Sequence, residues 1–258
     1  MIAAFAAMGQ QIDNQERKLN CNNNNRQGDN QVGHCEMKEF TLPGVRTLTV
    51  DSGPNGGVQV KGWSRSDVLV RAQVQTWSPA GTDPRGMSSQ IQIQTAGGVV
   101  QANAPDFGRN HGWAVSYEIF VPHRTDLSLK ARNGGIAILD ITGDIQFDTT
   151  NGGVKLERLA GNVRGKTRNG GLSVDLAGTR WEGQELRAET TNGGVSVSMP
   201  QNYSAQFEAA TVNGRLNLDI PLPSGIDTTR NVSVRIGAGG PLIRATTVNG
   251  GVTVKRKS

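Results

Sequence analysis

Acidic and basic side chains are the first residues whose types and spacing could support chemistry. Asp140, Asp144 and Asp148 follow one another at four-residue steps, with Arg158, Arg164 and Arg168 one repeat further on. Calcium-binding carboxylates beside a base that takes a proton next to a uronate carboxyl would make a polysaccharide lyase. These carboxylates do not recur at matching phase, and Arg168 aligns with Thr150 and Thr191, so solvated surface charge accounts for the group. His34, His111 and His123 are scattered without ligand spacing, and no Ser, His and Asp order suggests a triad. The Gly-Gly-x-Gly-x-Asp run of calcium-binding nonapeptides is missing. The sequence therefore predicts no catalytic centre, no metal and no cofactor.

Cys21 and Cys35 are the two cysteines, set in a polar, Asn-rich stretch. Zinc would want four ligands, and only His34 lies near, so a disulfide is the expectation if the chain is exported. Export is expected from the apolar run Ile2–Met8, in which Ala4-Phe5-Ala6 fits a small-x-small cleavage site, although no basic segment precedes it. The expected location is periplasm, cell surface or medium. No later apolar run reaches the ~18 residues of a membrane span. Trp77, Trp113 and Trp181 lie in or beside loops, where a flat ring could stack on a sugar, and are the expected ligand contacts.

What must position these groups is a repeat. The pairs Asn133-Gly134, Asn151-Gly152, Asn169-Gly170, Asn192-Gly193, Asn213-Gly214 and Asn249-Gly250 are separated by 18, 18, 23, 21 and 36 residues. Asn231 divides the last step in half and reads as a degenerate copy. Three residues after each Asn stands Ile136, Val154, Leu172, Val195, Leu216, Val234 or Val252, and Thr stands two before most of them. Alternation on both sides of the Asn-Gly predicts strands with one face buried, and the Asn-Gly-Gly predicts a sharp corner built on positive-φ residues. A hairpin would pair neighbouring strands antiparallel. In-register parallel stacking instead explains why identical residue types recur at one phase.

The fold expected is all-β: a right-handed parallel β-helix of about 18-residue coils, each of three short strands. The alternative is an antiparallel sandwich or meander. Segments such as Leu139–Gly143 and Leu159–Gly161 would supply the third face. The expected divisions are a leader or tail over 1–20, a polar cysteine loop over 21–39 and an irregular β cap over 40–125. The repeat stack would then run over 126–254, with a basic tail over 255–258 blunting the last coil. Just 5% of residues are aromatic against 34 glycines, as suits a core built in small aliphatic layers.

Asn55-Gly56-Gly57-Val58-Gln59-Val60-Lys61-Gly62-Trp63, Phe120-Val121-Pro122, the Asn-Gly-Gly ladder and the closing Gly239–Gly251 together resemble the bacterial "putative adhesin" family. The resemblance covers residues 40 to 254. It implies a β-strand-repeat domain at or beyond the inner membrane and supplies no catalytic residues.

The functional expectation is a non-enzymatic envelope scaffold or adhesion module. Its net charge of +5 favours anionic glycans as partners, with another envelope protein as the alternative. A lyase-like enzyme is the second reading. Nucleic acid is not expected, because basic residues in the repeat are not interleaved with stacking aromatics. End-to-end self-association through an uncapped C-terminal coil is a further expectation.

Overall fold

The computed structural model describes residues 19–21, 30–223, 225 and 227–257. The Ile2–Met8 run and its expected cleavage site lie outside the described residues.

Among the described residues, alternating inward and outward side chains generate twenty strands. The first seven are β1 (Gln31–Leu42), β2 (Thr47–Asp51), β3 (Val58–Trp63), β4 (Val68–Pro79), β5 (Gln92–Gln94), β6 (Val99–Asn103) and β7 (Gly112–Pro122). The regular repeat follows as β8 (Asp126–Asn133), β9 (Ile136–Leu139), β10 (Thr142–Asn151), β11 (Val154–Glu157), β12 (Ala160–Asn169) and β13 (Leu172–Asp175). It continues through β14 (Glu185–Asn192), β15 (Val195–Pro200), β16 (Ala205–Asn213) and β17 (Leu216–Leu218). The last three are β18 (Asn231–Ile236), β19 (Leu242–Asn249) and β20 (Val252–Lys257).

They form two ten-stranded sheets. Sheet A runs β1-β4-β7-β3-β9-β11-β13-β15-β20-β17, and sheet B runs β18-β16-β19-β14-β12-β10-β8-β2-β6-β5. Each coil is one strand of sheet B, an Asn-Gly corner and one strand of sheet A, stacked parallel and in register on the next coil. A hairpin is excluded for the repeat by that register. The third strand expected per coil does not form. Only Asp140 and Ile141 separate β9 from β10, too short a link for a strand, so the chain turns directly back into sheet B.

Leu127, Ile145, Val163, Leu186, Phe207 and Ile243 point inward from sheet B and meet Ile136, Val154, Leu172, Val195 and Val252 from sheet A. These buried side chains, aliphatic except for Phe207, form one continuous core, layer upon layer.

Spatial order departs from chain order at both ends. β19 inserts between β14 and β16, and β20 between β15 and β17. The last coil in sequence is therefore internal. At the other end the β2–β3 coil lies between β6–β7 and β8–β9. Antiparallel strands close the stack: β18 on β16, β5 on β6, and β4 with β1 on β7.

Four expectations are corrected. Asn231 opens the antiparallel β18 and is not a ladder copy, and Thr229 sits in an exposed turn held by Asp227. Residues 31–39 of the expected cysteine loop belong to β1. Lys255–Lys257 continue β20, and Lys257 Nζ donates to the Leu176 carbonyl at 2.8 Å. The edge strands of the two sheets are thus β17, β18, β1 and β5, and the coil of β19 and β20 expected to be uncapped is internal.

The corner glycines have a second reason besides turn geometry, since the expected positive φ is adopted at Gly56, Gly193 and Gly250 and not at Gly134, Gly152 and Gly170. A Cβ on Gly134, Gly152 or Gly170 would lie 2.0–2.2 Å from the carbonyl oxygen of the preceding coil's glycine, and these three lack positive φ. Close stacking, not the left-handed backbone predicted from sequence, dictates glycine there. Those carbonyls also accept from threonine hydroxyls: Thr149 to Gly134 at 2.9 Å, Thr167 to Gly152 at 2.8 Å and Thr190 to Gly170 at 2.9 Å. Ala131 breaks the column because its acceptor, Gly56, already takes the Ser52 hydroxyl at 2.8 Å.

Candidate functional site

The Asn ladder is satisfied internally. Asn133, Asn151, Asn169, Asn192, Asn249 and Asn213 each donate their amide to the previous Asn at 2.7–3.1 Å, starting from Asn55. It locks the coils together, as Asn ladders do in stacked β structures.

The acidic group does not converge. Asp140 occupies the second corner at φ 60° and takes a bidentate pair from Arg158, itself at φ 49°, with distances of 2.6 and 2.7 Å. That pairing lifts the Arg158 pKa further above its ordinary value, the hydrogen bond to Asp140 being the main cause. Asp144 and Asp148 point outward from sheet B, four positions and therefore about 13 Å apart along β10. Asp148 lies 3.9 Å from Lys166, while Asp144 accepts a long amide bond from Asn162 at 3.4 Å. Among the described residues no group of three or more His, Cys, Asp or Glu could hold a metal ion. Nor is any helix among them long and apolar enough to cross a membrane.

The tryptophans are not brought together. Trp181 is 3% exposed and donates its indole N–H to the Gly161 carbonyl at 3.0 Å, so the expected ligand contact there is corrected: the ring is core. The five-residue lengthening of that coil carries it back over the stack. Trp113 pairs with Thr76 in register and Trp77 with Gly112, which puts the two half-buried rings on opposite faces of sheet A. Trp63 was not singled out by sequence. It stacks on Phe120 at 5.4 Å and carries the Arg65 guanidinium 4.6 Å above its ring.

The Cys21–Cys35 disulfide is formed, with a Cα–Cα distance of 5.6 Å. It ties the residues before β1 to sheet A, where Gln73 also binds the Asn20 carbonyl. Beside them, Glu39, Arg71, Glu118 and Lys61 form an alternating charged row across β1, β4, β7 and β3.

An open groove of about 880 Å³ lies on the outer face of sheet A. It crosses β7, β3, β9, β11, β13, β15 and β20, a path of roughly 29 Å at ordinary strand spacing. Its floor is the second glycine of each corner: Gly57, Gly135, Gly153, Gly171, Gly194 and Gly251. Ala137, Ser173, Ser196 and Thr253 keep the next column short, Lys155 and Lys255 add positive charge, and Leu19 stands at the rim. The repeat that announces the fold therefore also carves the groove, a signal that sequence reading missed by treating the glycines only as turns.

The strand stack and its corners match the sequence pattern of the Toastrack DUF4097 family over residues 87–255. The chain belongs to that family. The resemblance to a bacterial β-strand-repeat family read from the Asn-Gly-Gly ladder is borne out by this match. Among solved structures, a putative cell adhesion protein from Clostridium sporogenes is 14% identical, covering 87% of this Toastrack chain and 100% of its own, with a TM-score of 0.47. A putative adhesin from Bacteroides fragilis is 12% identical over 87% and 97% of the two chains, TM-score 0.34. A putative lipid binding protein from Parabacteroides distasonis is 11% identical over 86% and 97%, TM-score 0.28. No curated protein matches the Toastrack chain.

Proposed function

We propose that this Toastrack chain is a non-enzymatic envelope module that holds a linear surface polymer along the axis of its strand stack. One observation carries the reading: the glycine-floored groove that crosses seven strands of sheet A. A groove floored by glycines and lined mostly by short side chains offers a polymer many weak, repeated contacts and no single deep pocket. The coil is taken as right-handed, the hand adopted by crossovers between parallel strands. The Cys21–Cys35 disulfide supports an extracellular or envelope location, where such bonds persist. Dispersal of Asp140, Asp144 and Asp148 supports a role without bond cleavage.

Retention of the full chain on a panel of envelope and extracellular polysaccharides, with product analysis of each sample, tests the proposal. Retention without product, lost in Ser173→Trp and Ser196→Trp variants that fill the groove, is the expected result. New reducing or unsaturated ends would overturn the non-enzymatic reading. Undiminished binding by both variants would remove the groove from it.

A further inference from the structure

The outer face of sheet B repeats a charge where strand pairing disfavours it. Arg164 of β12, Arg187 of β14 and Arg244 of β19 stand directly opposite one another on three adjacent strands. Strand spacing brings their Cα atoms about 5 Å apart, a placement in which like charges repel. Two residues further along, the row that crosses β8, β10, β12 and β14 adopts the compensated arrangement Lys130, Asp148, Lys166, Glu189, alternating in sign. The arginine column does not.

Carboxylates engage only part of it. Glu185 takes Arg187 Nη2 at 3.0 Å from two positions earlier on β14, and Glu208, directly opposite Arg244 on β16, continues the row with opposite charge and takes Arg244 Nε at 2.7 Å. Arg164 makes no ion pair among the described residues. Arg187 Nε is buried with no hydrogen-bond partner, and a buried donor left unmatched is costly. Arg164 and Arg187 also border an open trough of about 470 Å³, in which Lys130 and Lys166 balance Asp148 and Glu189 and the two arginines leave a positive excess.

We infer that Arg164, Arg187 and Arg244 form a binding row for a linear, carboxylate-bearing polysaccharide, separate from the groove on sheet A. The row runs along the stack, so its partner is a chain with anionic groups every few ångströms, and the guanidinium fork matches a carboxylate. Phe147 and Phe207, the aromatics of the neighbouring strands, point into the core. The face has no stacking platform for bases, which favours a glycan over single-stranded nucleic acid.

Calorimetry of the full chain with polygalacturonate, its methyl ester and an oligonucleotide of equal charge tests the inference. The acid form should bind, weaken with salt, and exceed the ester at least about tenfold. Arg164→Gln, which breaks no ion pair, and the double variant with Arg187→Gln should lose about tenfold or more in affinity. The melting temperature of Arg164→Gln without ligand should hold or rise, because repulsion is relieved and no ion pair is lost. Ser173→Trp should leave this binding unchanged. Equal affinity in the arginine variants, tighter binding of the oligonucleotide, or no binding of polygalacturonate overturns the row. Those results leave groove binding of other polymers standing, whereas loss confined to Ser173→Trp would transfer the polyanion to the groove.

Discussion

Asn249 donates its side-chain amide to Asn192 at 2.7 Å and accepts that of Asn213 at 2.8 Å. The last corner of the chain is therefore not the last corner of the stack. β16 and β17 must leave a slot one coil wide, which β19 and β20 then fill.

Removing residues 242–258 should consequently damage more than the segment removed. β16 loses its parallel neighbour and β17 its only one, so amides of Gln206–Thr211 should exchange hydrogen as an unfolded segment does, while those of β10 and β12 stay protected. Hydrogen exchange read by mass spectrometry checks this. Native-like protection of β16 in the shortened chain would contradict the inserted order.

The two glycines of one corner should respond differently to the same substitution. Gly152→Ala places a Cβ 2.0 Å from the Gly134 carbonyl oxygen and should cost about 3 kcal/mol or more. Gly153→Ala meets Gly171 O at 3.5 Å and should change stability by less than about 1 kcal/mol. The protein already tolerates Arg215 at the second position of its Asn213 corner. Urea unfolding of the two variants separates the cases, and similar losses would refute the stacking argument.

Alkaline pH should unfold the protein through its two tyrosines. Burial, with the nearby charges of Asp51 and Glu182 adding to it, pushes the Tyr117 and Tyr203 hydroxyls above their usual range. The folded state keeps both neutral where the unfolded chain ionises them. The stability is complete below about pH 10 and is lost as pH rises beyond it, by about 1.4 kcal/mol per pH unit for each tyrosine. Urea midpoints should be flat up to about pH 9 and approach this slope above about pH 10, and Tyr117→Phe should halve it. At neutral pH that variant should match or exceed the parent, because the buried hydroxyl has no hydrogen-bond partner.

Sequence conveyed the phase of the repeat with high fidelity, since in-register parallel strands set like on like at Asn133, Asn151, Asn169 and Asn192. Stacking order was illegible because every coil presents the same edges. Nothing in Asn249 distinguishes a place beside Asn213 from one beside Asn192, and the halved step at Asn231 suggested a copy that an antiparallel strand replaces. The count of strands per coil was recoverable. Inward positions form two runs, such as Ile145–Thr149 and Val154–Leu156, with Ile141 alone between successive pairs. The groove and the arginine column lay in the outward columns, which core-seeking periodicity passes over.

The Asn ladder also has a sense. From Asn213 to Asn55 every amide donates toward the same end of the stack, and Asn55 passes its own donor to the Trp113 carbonyl at 3.3 Å. The side-chain dipoles add head to tail. At the tail the Arg230 guanidinium crosses from the loop before β18 to the carbonyls of Val212 and Gly214, at 2.6 and 3.0 Å, setting a cation where the summed dipole is negative. Reversing one amide would oppose two donors on one side and two acceptors on the other. The row can reverse only as a whole, and the rod is electrically polar from end to end.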